Sequence, residues 1–146
     1  MTAGQGVIMR GIGSRTFTGV PHNGEIMVNV HRRNLPGYTD NWNLIGNPYP
    51  SAISAIDFLT ENVQIEGSIA IWTHNSEISN NYTSPFYGNF TYNYNPQDYI
   101  IYNISGPQSG PEDETYRGFI PAGQAFFVKY ENDDNNFPTA ETSVVK

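Results

Sequence analysis

The chain has 146 residues, 38% hydrophobic and 14% aromatic, with 7 basic against 14 acidic side chains and a formal net charge of −7. That length suits one hydrophobic core and not two, and the large apolar side chains are too many for a disordered chain. The acidic balance argues against nucleic acid, whose phosphates reward a basic face, and no apolar run approaches the roughly 18 residues of a membrane-spanning helix.

Cysteine is absent, which removes disulfides, thiolate nucleophiles and thiolate-bound zinc together. Charged residues make up 14% of the chain, while Asn 17, Thr 11 and Ser 10 supply most of the polarity; the usual charged share is about 25%. Neutral polar loops of this kind are common on extracellular β-domains. The start has neither a basic cluster nor an apolar stretch of signal-peptide type. With strand-like runs beginning and ending almost at the termini, the expectation is a single domain over residues 1–146, excised from a longer secreted protein.

Short apolar runs of period two, punctuated by Gly, Pro and Asn, dominate the pattern. Residues 5–10 read as a first strand and residues 16–18 as a short second. Pro21-His22-Asn23-Gly24 reads as a turn, its Asn-Gly pair suited to positive φ. In residues 25–31 the side chains Ile26, Val28 and Val30 share one face, and Met27, Asn29 and His31 the other. Residues 42–46, 69–74, 99–103 and 124–130 read as stronger strands, and 90–94 as a weaker one.

Only residues 51–62 read as a helix. They follow Asn47-Pro48-Tyr49-Pro50 and carry Ser54-Ala55-Ile56-Asp57, a Ser-x-x-Asp capping pattern, with Ile56 and Leu59 expected to face inward. Strands at this spacing with one short α-helix predict an all-β fold, an antiparallel β-sandwich of jelly-roll-like character. Ala3-Gly4-Gln5 followed by a small residue and three apolar ones echoes Ala122-Gly123-Gln124 and its sequel. The pair reads as two equivalent strands in pseudo-symmetric positions.

Trp42-Asn43-Leu44-Ile45-Gly46-Asn47-Pro48-Tyr49-Pro50-Ser51 resembles a stretch of large secreted proteins of the Bacteroidetes, found shortly before the carboxy-terminal sorting domain of the type IX secretion system. Residues 17–26, 71–75 and 118–128 resemble the same region in the same order, so the resemblance covers most of residues 3–130. It implies export and exposure on the cell surface or in the medium, beside neighbouring domains of the parent chain. It implies no activity and no cofactor, and the sorting domain itself is not recognisable in the sequence.

Candidate chemistry is sparse. Asn47-Pro48-Tyr49-Pro50 reads either as a binding loop or as a rigid corner from strand to helix. Phe90, Tyr92 and Tyr94 alternate with Asn89, Thr91, Asn93 and Asn95, and Tyr82, Phe86 and Tyr87 precede them. Flat rings beside amides are what sugar recognition needs, although a half-buried strand shows the same alternation. Trp72 and His74 share a face and, with Trp42, offer a second aromatic platform or ordinary core. Glu131, Asp133, Asp134 and Asn135, and the run Glu112-Asp113-Glu114, have oxygen ligands without the spacing of a calcium loop. His22, His31 and His74 lack zinc spacing. Asp57 and Glu61 share a helix face, but no nucleophile elbow, zinc-protease motif or phosphate loop is present.

The sequence therefore predicts a non-catalytic extracellular or cell-surface module, binding a polysaccharide or cell-surface glycan through Tyr82, Phe86, Tyr87, Tyr92, Asn93, Tyr94, Trp72 and His74. It predicts no nucleic acid, no membrane insertion, no metal and no cofactor. A spacer domain that binds nothing small is the alternative, and a hydrolase the third reading.

Overall fold

The structure is a computed structural model that describes residues 2–8, 14, 16, 18–32, 41–73, 98–109 and 117–130, and the backbone of 141–145. Among the described residues, nine strands and one helix follow in the order β1 (Val28–Arg32), β2 (Trp42–Gly46), β3 (Ile53–Ser54), α1 (Ala55–Glu61), β4 (Ile65–Trp72), β5 (Tyr99–Asn103), β6 (Gly106–Ser109), β7 (Phe119–Ile120), β8 (Ala125–Tyr130) and β9 (Glu141–Val145). The fold is all-β and sandwich-like. Five strands form an antiparallel sheet in the order β2-β8-β4-β5-β6, joined by a β1-β9 ribbon and a short β3-β7 pair.

Alternation along each strand decides the two faces of the large sheet. Ile45, Phe126, Val128, Ile69, Ile71, Ile100 and Tyr102 are buried on the inner face. Against them pack Val30 of β1 and Ala55, Phe58 and Leu59 of α1, with the Phe58 and Phe126 rings edge-on at 5.2 Å. Buried helix positions spaced at i, i+3 and i+4 define the stripe that docks. Ile56 is therefore turned outward, 39% exposed, against the expectation that it faces in; Phe58 takes that place.

The helix begins where the sequence predicts a cap. Ser54 has extended backbone, and its Oγ accepts a hydrogen bond from the Asp57 N–H at 3.2 Å. Asn62 ends the helix: its buried carboxamide donates to the Phe58 carbonyl at 2.8 Å, occupying an acceptor that the missing next turn leaves open.

Asparagine also joins the layers. The Asn43 side chain accepts from the His31 N–H at 2.8 Å and donates to the His31 carbonyl at 3.0 Å, imitating a strand neighbour and tying β1 to β2. It also donates to the Asn41 carbonyl at 2.9 Å. Asn43→Ala is expected to cost about 1–2 kcal/mol, since these bonds lie near solvent. Faster amide hydrogen exchange at His31 would report the loss, and unchanged exchange there would refute the tie.

Two strand expectations are corrected. Of residues 5–8 only Gln5 pairs, in one bridge to Ile45, and the described residues 16 and 18 are not strand. Gly4 turns the chain with φ +75°, and Gly6 lies so close over Leu44 that a Cβ there would sit 2.6 Å from its Cγ. The segment thus crosses the edge of β2 rather than running along it. The echo in sequence is real in space nonetheless. Gly123 has φ +71°, and the two Ala-Gly-Gln turns flank the end of β2: Gly46 N–H donates to the Gly4 carbonyl, and Asn47 N–H to the Gln124 carbonyl, each at 2.9 Å. The second turn continues into the strand β8, the first does not.

Candidate functional site

The outer face of the large sheet is also apolar. Trp42 and Leu44 of β2, Phe127 of β8, Ala70 and Trp72 of β4, and Tyr99 and Ile101 of β5 share it by register. Phe127 is the hub, meeting Trp42 edge-on at 6.4 Å and Tyr99 at 5.9 Å. Trp42 is 48% exposed, whereas Trp72, Phe127, Tyr99 and Leu44 are half-buried. One end of the face is charged: Lys129 Nζ lies 2.7 Å from Glu66 Oε1.

Toward the other end lies a groove of about 790 Å³. Leu44, Trp72 and Phe127 contribute its aromatic and aliphatic side, residues 2–8 and 18–22 run along it, and Asn47-Pro48-Tyr49-Pro50 with residues 122–125 close it. Its polar lining residues include Gln5, Gln124, Thr2, Thr18 and His22, with no Asp, Glu, Lys or Arg among the described residues that line it; the Gln124 Nε2 donates to the Ala125 carbonyl at 2.7 Å. The volume lies within the range of about 300–1,000 Å³ seen for small-molecule sites.

The Asn47-Pro48-Tyr49-Pro50 loop is a corner held from within. Buried Asn47 donates through Nδ2 to the carbonyls of Ser51 (2.8 Å), Ile120 (3.0 Å) and Pro121 (3.1 Å). Its Oδ1 accepts from the Tyr49 N–H at 2.9 Å. Tyr49 is half-buried, and its hydroxyl donates to the Gly24 carbonyl at 2.7 Å, fixing the turn ahead of β1. Of the two readings of this loop, the rigid corner is what its hydrogen bonds describe; its outer surface still borders the groove.

Among the predicted ligand-binding residues, Trp72 is on the groove. Tyr82, Phe86, Tyr87, Tyr92, Asn93, Tyr94 and His74 lie outside the described residues, as do the strand expected at 90–94 and the acidic runs at 112–114 and 131–135. On either side of residues 74–97, the Thr73 N–H (2.8 Å) and hydroxyl (2.7 Å) both donate to the Asp98 carbonyl. That clamp stands beside the register pair of Trp72 and Tyr99. Sequence reasoning missed Phe127 because Phe126-Phe127-Val128 reads as one continuous apolar run. Strict alternation from the buried Phe126 and Val128 was the signal that puts Phe127 on the opposite face.

Among the described residues, no three His, Cys, Asp or Glu side chains converge as metal ligands, and Asp57 and Glu61 are exposed on α1. No described helix is long and apolar enough to cross a membrane.

No curated protein and no solved structure matches the chain. A family of domains does match, over residues 1–142, and it is described as a domain of unknown function, DUF8693. On that match the chain belongs to the DUF8693 family.

Proposed function

We propose that the chain is a non-catalytic module of a secreted or surface-displayed bacterial protein, and that it binds a glycan in the groove on the outer face of its sheet. The observation that carries this reading is the pairing of aromatic side chains with an uncharged polar border. Trp72 and Phe127 offer flat apolar surface to the C–H faces of a sugar ring, while Gln5, Gln124 and Thr18 offer hydrogen bonds to hydroxyls. Half-exposed Trp42 extends the aromatic surface along the sheet. In the sequence the Tyr- and Asn-rich residues 82–94 fall between Thr73 and Asp98, and the clamp of those two residues stands next to Trp72. The low charge and the Asn, Thr and Ser content support an extracellular setting.

One observation favours the alternative of a spacer domain. Trp42, Phe127 and Tyr99 meet edge-on, as in ordinary packing, and not as coplanar plates. Retention of the whole chain on a panel of soluble and insoluble polysaccharides separates the two. Selective retention that weakens about 10-fold or more in Trp72→Ala is the expected result, the size of an aromatic hot spot. Trp42→Ala, at a more exposed position, guards against a folding defect and should weaken retention less. A well-folded chain retained by no polysaccharide would establish the spacer reading.

A further inference from the structure

We propose that Asn23 is a site of spontaneous deamidation, through attack by the Gly24 amide, and that the product alters the wall of the groove. Asn23-Gly24 is the one Asn-Gly pair in the chain; every other asparagine precedes a residue that carries a side chain. Succinimide formation needs the following amide nitrogen to reach the asparagine Cγ, and a side chain on that following residue obstructs it. Here both residues are exposed. Gly24 stands in the left-handed region with φ +74°, and nothing lies within 4 Å of where its Cβ would be, so the ring has room to close. Among the described residues neither the Asn23 carboxamide nor the Gly24 N–H is engaged in a hydrogen bond.

The chemistry balances with water alone. The Gly24 nitrogen loses its proton and bonds to Asn23 Cγ; the Cγ–Nδ2 bond breaks and ammonia leaves. Water then opens the succinimide. Addition at Cγ gives aspartate, and addition at the Asn23 carbonyl carbon gives isoaspartate, in which the main chain runs through Cβ and Cγ. Either product adds one negative charge to a chain already at −7.

The isoaspartyl product also lengthens the backbone by one carbon at a turn whose Gly24 carbonyl accepts a long-range bond from the Tyr49 hydroxyl. Pro21, His22 and Tyr49 all border the groove, so redirecting that carbonyl displaces its wall. The same bond restrains the turn against closure of the ring.

The intact chain, aged in mildly acidic and mildly alkaline buffer, tests this by peptide mapping and by labelling with an isoaspartyl methyltransferase. A gain of about one mass unit should accumulate in the peptide containing Asn23, faster in alkali, divided between two products with isoaspartate the larger. Tyr49→Phe should speed the gain about 2- to 10-fold, the factor one hydrogen bond carries. Asn23→Gln should abolish it, because closure of the larger ring is much slower. Gain elsewhere in the chain with Asn23 unchanged, or an equal gain in Asn23→Gln, overturns the proposal. Glycan retention plays no part in these readouts, so the site stands or falls apart from the proposed function.

Discussion

Replacing Asn47 with alanine is expected to destabilise the protein by about 3–4 kcal/mol, the largest loss foreseen for a single polar side chain here. One carboxamide serves three carbonyls and one N–H, and the Ile120 carbonyl it reaches is buried. Truncation removes all four bonds at once: the Ile120 carbonyl loses this partner in a buried setting, whereas the part-buried Pro121 carbonyl keeps the Gln124 N–H; each buried orphan costs about 1–3 kcal/mol. In urea the midpoint should fall by about 1–2 M at an unchanged slope. Asn47→Asp is the sharper experiment, because it keeps the shape and reverses the chemistry. An ionised carboxylate would face three carbonyl oxygens and donate to none, so at neutral pH it should be at least as damaging as alanine. Protonation in acid restores one donor and should narrow the gap between the aspartate variant and alanine. A loss below about 1 kcal/mol for alanine would mean that water reaches the corner and satisfies the freed carbonyls.

The corner also shows where sequence reading runs out. That Asn47, set before a proline, bonds backbone groups is legible, because the residue type has few other uses at such a position. That two of its acceptors, Ile120 and Pro121, come from a turn more than 70 residues away is not, because nothing local encodes long-range proximity. β2 and β5 carry the expected bounds, since period-two alternation between glycine, proline and asparagine breaks leaves little choice. The Ser54 cap was equally legible; the helix face was not, because Ile56 and Phe58 are both apolar and only packing against Phe126 selects between them. Residues 5–8 have strand-like composition, yet the turn at Gly4 and the close approach of Gly6 to Leu44 allow a single bridge. For the candidate site, Trp72 and Trp42 do share the outer face by register, although at different positions along it. The Phe127 hub between Trp42 and Tyr99 depends on strand order β2-β8-β4-β5, which sets β8, late in the sequence, between the earlier strands β2 and β4.

Strand order also brings Gly118 against Tyr102, and there a single methyl group should have the second large effect. Gly118 has φ +75°, a conformation that costs an L-residue about 1–2 kcal/mol. A Cβ at that position would lie 2.5 Å from the Tyr102 hydroxyl oxygen and 2.9 Å from Cζ. Tyr102 cannot swing clear without disturbing the core, being 6% exposed among the residues of the inner face. The Gly118 carbonyl meanwhile accepts from the Ala55 N–H at 2.8 Å, so a shift of the backbone also loosens the first turn of α1. Gly118→Ala is therefore expected to cost about 2–4 kcal/mol, backbone strain and overpacking together. A double-mutant cycle separates the two contributions. In a Tyr102→Phe background the nearest atom is gone while the left-handed backbone remains, so the penalty of Gly118→Ala should shrink by about 1 kcal/mol or more. Strict additivity would mean that the cost is carried by the backbone alone. The ring would then have room to yield, and the inner face would be less tightly packed at this point than the contact implies.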